Sequence, residues 1–319
     1  MSFRNRAIAA LVCFPAMVIH GQPKQVSTPL AGYVFDGSAL RPISGVPGGA
    51  TLGDAIALRL APAAAEISPQ LDSAIVTAGD GSLHLFRLSG NSATEIPWKS
   101  APPGPARVAY SPSGTAAVVY TSGEAHIFSG LPKSPKVAFS AGVGASAEHD
   151  HESPGGAPAA IAVSDDAGWL LVAGQGSVRL FDATGSSAVL LEGTREVVAA
   201  FAPGSHLAAV LNGAGPTLEV FPDVTAAPSQ RIPMPGLTEP VGIAFSPDGR
   251  LILMASHTGN PVTIFDRSGS ATTALQCDSI PTGVQRLGSL FRITDAGAGP
   301  VWMVDMSASP PHLVFVPAR

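Results

Sequence analysis

Glu148-His149-Asp150-His151-Glu152 places five potential metal ligands in a row, the densest such cluster in the chain. Imidazole and carboxylate donors together suit zinc or a similar divalent ion. His149, Asp150, His151 and Glu152 are therefore the candidate metal ligands. Two features weigh against a purposeful centre. All five sit on one Gly/Ala/Ser/Pro-rich stretch, residues 141–158, and nothing nearby would orient them. A solvated acidic loop is the plainer reading, with adventitious metal binding between the two. Other chemistry is sparse. The sequence contains no G-x-S-x-G elbow, H-E-x-x-H pair, Walker-type loop or C-x-x-C motif. Gly45–Gly49 (GVPGG) reads as a turn rather than a phosphate cradle. Asp165-Asp166 reads as a turn cap, and His84, His126, His206 and His257 fall at varied places. No catalytic residue and no cofactor is assigned from sequence.

The elements that carry these residues follow from a repeat of about 40 residues. Its clearest copy is Val241–Gly269, VGIAFSPDGRLILMASHTGNPVTIFDRSG, with relatives at 64–90, 107–130, 159–185 and 197–223 and a worn one at 283–309. A short strand ends in a Ser-Pro or Pro-Gly type turn, where Pro presets one dihedral and Gly accepts positive φ. A nearly all-apolar second strand follows, as in Ala116–Tyr120, Trp169–Ala173 and Leu251–Ala255. A glycine-bearing hairpin turn then leads to a third strand. That strand closes on Phe86, Phe128, Phe181, Phe221 or Phe265, with Val304 in the equivalent place. The markers stand 42, 53, 40, 44 and 39 residues apart in sequence. The long interval contains the 141–158 stretch. Weaker fourth strands, such as Lys136–Phe139 and Ala188–Leu191, end each copy.

Four antiparallel strands at this period predict an all-β chain folded as a β-propeller of six to seven blades. Gly32–Asp36 (GYVFD) matches a third strand and Leu40–Val46 a fourth, beside six complete copies over 61–319. Seven blades are preferred, since residues 22–319 divided by seven gives about 43 per blade. Phe245-Ser246-Pro247-Asp248-Gly249-Arg250, followed by Val262-Thr263-Ile264-Phe265-Asp266, resembles the repeats of bacterial WD-repeat-like, TolB-like and YVTN-type propellers. The His and Asp of true WD repeats do not recur here. In such families the motif marks a hairpin and implies no chemistry. A propeller enzyme would need acids and bases converging at the central mouth. Glu66, Arg107, Glu196 and Glu239 lie on first strands or between blades and could meet there.

Composition and the first residues bound the rest. Gly and Pro number 35 and 30 of 319 residues, too many for long helices, while 45 % hydrophobic residues supply apolar surface to bury. The formal charge is −5 and only four Lys occur, so no nucleic acid is expected as a partner. Met1–Gly21 carries Arg4 and Arg6, then the apolar run Ala7–Ile19, the pattern of a cleaved secretory signal peptide. Residues 1–21 are thus expected to be a signal peptide and 22–319 one propeller domain. The mature chain then has no membrane span and one cysteine, Cys277, which reads as a small buried residue. The expected function is that of an exported, periplasmic or secreted monomer that binds a protein or cell-surface component without an evident catalytic site. The alternatives are a propeller enzyme, such as the sugar-lactone hydrolase that the YVTN-type resemblance implies, or a metal-binding protein acting through residues 148–152.

Overall fold

A computed structural model describes residues 29–104, 106–143, 158–174, 176–226, 228–259, 261–295 and 299–317. The expected signal peptide and His149, Asp150, His151 and Glu152 lie outside the described residues. The described chain is all β: seven antiparallel sheets and no helix. Each sheet uses one contiguous stretch of sequence. Blade one holds three strands, Leu30–Phe35, Leu40–Ser44 and Thr51–Leu52, and the other six hold four each. Blades two to seven span residues 62–96, 107–142, 160–194, 197–233, 240–276 and 285–316. The first strand of every blade packs against the first strand of the next, and that of blade seven against that of blade one. This unbroken ring of innermost strands defines a seven-bladed propeller.

The marker residues explain how the blades stack. Side chains alternate between the two faces of a strand, so neighbours on a third strand serve opposite interfaces. Phe86, Phe128, Phe181, Phe221, Phe265 and Val304 all face the preceding blade and are buried. The residue before each, Leu85, Ile127, Leu180, Val220, Ile264 or Met303, enters the cluster shared with the following blade. The apolar second strands do the same, with Ile252 and Met254 facing blade five and Leu253 facing blade seven. The hydrophobic core is therefore a ring of layers between blades rather than one central mass.

In blades three, four and six the first turn rests on a buried serine. Oγ of Ser111, Ser164 and Ser246 accepts the backbone N–H five residues on, from Ala116 (3.1 Å), Trp169 (3.0 Å) and Leu251 (2.9 Å). Blade five has Ala202 here and keeps only the backbone bond from Ala202 N to Leu207 O, 2.8 Å.

The expected identity of the N-terminal hairpin needs correction. Leu30–Phe35 is the innermost strand of blade one and Leu40–Ser44 its second, not the third and fourth. The misleading signal is Phe35-Asp36-Gly37-Ser38, which matches Phe181-Asp182-Ala183-Thr184 and Phe265-Asp266-Arg267-Ser268 at true third-strand ends. In all three the Asp Oδ1 accepts the N–H two residues on, at 2.8–2.9 Å. Such an Asx turn closes a hairpin whatever the strand's rank in the sheet. The ring accordingly closes by packing: among the described residues no strand is shared between the first and last blades. Tyr33, Leu40 and Ile43 of blade one and Leu287, Leu290, Met303 and Val314 of blade seven share one cluster.

Candidate functional site: the central channel

The innermost strands surround a channel with two adjoining chambers. The outer one, about 580 Å³, lies where these strands begin and is bordered by Arg107, Glu196 and Glu239. The inner one, about 190 Å³, lies towards their far ends. Both touch Ile161, Ala199, Ile243 and Val284. One position creates the inner space. Two residues before the first turn, four blades carry alanine: Ala109, Ala162, Ala200 and Ala244 line the chamber. At the same position blade two carries Glu66 and blade seven Arg286. Small neighbours on four sides leave room for two long charged side chains.

The closest approach in the wall is at Gly242. A methyl group there would stand 2.3 Å from Val284 N, so only glycine lets the innermost strands of blades six and seven meet. That contact places Gln285 and Arg286. Gln285 Nε2 donates to Glu66 Oε1 at 3.0 Å, reaching from blade seven to blade two. Arg286 lies across the far end of the channel, with Nη1 donating to Pro112 O of blade three at 3.1 Å and Nε to Gly288 O at 2.9 Å. Arg107 Nη1 donates to the carbonyl of Pro158 on the next blade. Glu66, Arg107 and Arg286 each make their direct hydrogen bonds to uncharged groups. Among the described residues none of the three forms an ion pair within 4.0 Å.

Burial dominates the electrostatics. It pushes the Glu66 carboxyl up to about 7, against the smaller opposing effects of Arg292, the Gln285 bond and Arg107. It also raises the Tyr110 phenol and lowers the Arg107 and Arg286 guanidiniums. A carboxyl that gains and loses its proton near neutrality can serve as an acid, a base or a proton-dependent ligand contact.

The structure thus brings Glu66, Arg107, Glu196 and Glu239 to one channel. Glu196, at its mouth, has φ 48°, a left-handed conformation uncommon for a residue with a side chain. Sequence reasoning missed Gln285, Arg286 and Arg292, which lie in the most worn repeat copy. The available signal was a Gln-Arg pair inside an innermost strand, where the other blades are nearly all apolar. Asp165-Asp166 does more than cap a turn. Asp166 Oδ1 accepts from Ser164 Oγ (2.5 Å) and Gly168 N (3.0 Å), and its Oδ2 meets His206 Nε2 of blade five at 2.8 Å. Asp165 accepts Ser113 N of blade three and Gly204 N of blade five, both at 2.7 Å. The histidines also need a correction, because His84 and His126 share one repeat position, two before the marker Phe. Each reaches a neighbouring strand: His84 Nδ1 meets Glu95 at 2.7 Å, and His126 Nδ1 meets Ser140 at 2.9 Å. Arg179 and Glu219 hold the same position and pair with Ser187 and Arg231, so the site is a cross-strand polar link. Among the described residues no group of three or more His, Cys, Asp or Glu could hold a metal ion.

No family model matches the chain, and no curated protein matches it. Solved structures do. Hydrazine synthase of Kuenenia stuttgartiensis superposes with a TM-score of 0.53 at 14 % identity, covering 92 % of this chain and 98 % of that one. Dihydro-heme d1 dehydrogenase NirN, in complex with DHE, gives a TM-score of 0.49 at 19 % identity, covering 78 % of this chain and 54 % of that one. At 14 % identity the first likeness shows the propeller fold alone.

Proposed function

We propose that the chain is an exported binding propeller whose recognition site is the mouth of the central channel. One observation carries this reading: Glu66, Arg107 and Arg286 line the channel without an ion pair, so their polar capacity is open to a ligand. Half-buried charges such as Glu66 and Arg286, held apart from each other, are costly unless something else uses them. The partner is a protein or cell-surface component that presents a polar group to the mouth, met by a monomer of the looser bacterial propeller type. Export rests on the residues of Met1–Gly21. Mass spectrometry of exported material that retained Met1–Gly21 would sink that part. Reversing the mouth charges with Glu196→Lys and Glu239→Lys, both exposed, tests the site. The double variant should keep its melting temperature and lose sedimentation with cell-envelope preparations; unchanged sedimentation would remove the mouth from consideration.

A second reading has support in the Glu66 carboxyl, which titrates near 7 and so suits general acid–base chemistry on a substrate such as a sugar lactone. A lactone screen with the wild type and Glu66→Gln distinguishes the two, because turnover that depends on Glu66 favours the enzyme.

A further inference from the structure

We infer that the channel binds a small organic monocarboxylate, whose carboxylate meets Glu66 and Arg107 and whose binding draws one proton onto Glu66. The inference rests on the channel being the recognition site and adds the class of ligand and the linkage.

Charge and space select the class. The channel holds two guanidiniums, Arg107 and Arg286, that have only carbonyl partners; Glu66 is the carboxyl inside it, while Glu196 and Glu239 stand exposed with Arg107 at the mouth. An anion supplies the charged partner that both guanidiniums lack, whereas a cation would not. The groups facing Glu66 are few. Gln285 comes from the first strand of blade seven and Arg292 from its second, while Arg107 and Tyr110 come from blade three. Of the two guanidiniums that act on Glu66, Arg292 is already paired with Asp295 at 3.5 Å, which leaves Arg107 for the ligand. Two carboxylates cannot sit side by side here unprotonated, because like charges at hydrogen-bond distance repel strongly out of water. A carboxyl and a carboxylate can share one proton, and Glu66 is the group in the channel poised to take it up. Among the described residues the buried Oε1 of Gln285 has no hydrogen-bond partner, so the amide that donates to Glu66 also leaves an acceptor unused beside the chamber. The rest of the inner chamber is walled largely by uncharged innermost-strand residues, and its 190 Å³ suits a short apolar body.

Titration calorimetry of the full chain with benzoate, benzamide and benzylamine tests this. Benzoate should bind and the other two should not. Repeating the benzoate titration at pH 8 in two buffers of different ionisation heat should show uptake approaching one proton per ligand. Its affinity should fall about tenfold from pH 6 to pH 8, following the protonated fraction of a carboxyl near 7. Glu66→Gln should lose the proton uptake and the pH dependence together. Arg107→Gln should weaken benzoate by about tenfold or more. Benzamide binding as well as benzoate, inorganic phosphate displacing benzoate, or benzoate binding without proton uptake would each overturn the inference. Should benzoate fail to bind while envelope sedimentation still responds to the Glu196 and Glu239 reversals, the ligand class is wrong and the channel reading stands. Failure of both results removes the channel altogether.

Discussion

Glu66 couples the channel to the stability of the whole chain. Its folded-state value near 7 lies above the 4.5 of an ordinary glutamate. The unfolded chain therefore loses its proton first as pH rises. Stability is unaffected below about pH 4.5, falls between about 4.5 and 7, and stays lowered above that. Glu66→Gln removes the penalty, so the variant should match the wild type at pH 4 and melt at higher temperature at pH 8. The gap should be on the order of 2 kcal/mol or less, since some solvent reaches the side chain. A melting-temperature difference independent of pH would refute the assignment. The marker residues make a complementary test. Phe265→Ala, at a site 3 % exposed, should cost about 3–5 kcal/mol in chemical denaturation. Both residues are single letters, yet only Phe265 was legible in sequence. Its neighbours alternate along one strand and recur every 40-odd positions, whereas Glu66 takes its meaning from Gln285, 219 residues away. Only closure of the ring brings those two together.

Strands and turns were mostly readable, because their chemistry is local. The second strands predicted at Trp169–Ala173, Ala116–Tyr120 and Leu251–Ala255 match those observed, the last two running one residue further. Fourth strands were underestimated: Lys136–Gly142 and Ser187–Thr194 extend past the apolar residues that signalled them. An outermost strand has little to bury, so hydrophobic pattern marks its limits poorly. The rank of the first hairpin was misread because an Asx turn reports a bend and not a position in the sheet. Ser246→Ala removes the acceptor for Leu251 N and should cost about 1–3 kcal/mol. Blade five, with Ala202 in that place, shows that the turn itself survives. Asp165→Ala should destabilise by a similar amount, about 1–3 kcal/mol, by leaving the N–H groups of Ser113 and Gly204 without their acceptor. A double-mutant cycle of Asp165→Ala with a residue of blade one should be additive, because the contacts are local to blades three to five.

The molecule as a whole is a ring with one distinguishable joint. The six interfaces between successive blades join consecutive stretches of chain, whereas among the described residues blades seven and one meet through side-chain packing around Tyr33 and Leu287. Local opening favours places with few hydrogen bonds and shallow contacts. Amide exchange should therefore be faster in Leu30–Phe35 than in Leu251–Ser256, and equal protection would show that the joint is as firm as any other interface. Across that joint blade seven also reaches blade two, with Gln285 against Glu66 and Gly288 N against Pro69 O at 2.9 Å, so the strength of the seam and the shape of the channel vary together. Arg286 gives that channel its most far-reaching property. Laid from blade seven to the carbonyl of Pro112, it sets a cationic bar across the far end of the passage. The two ends of the passage are therefore unequal, with Arg107, Glu196 and Glu239 bordering the wider one. A large partner seated on the wider end would slow the escape of an occupant, so the lifetime of the outer complex would feed into the residence time of the inner one.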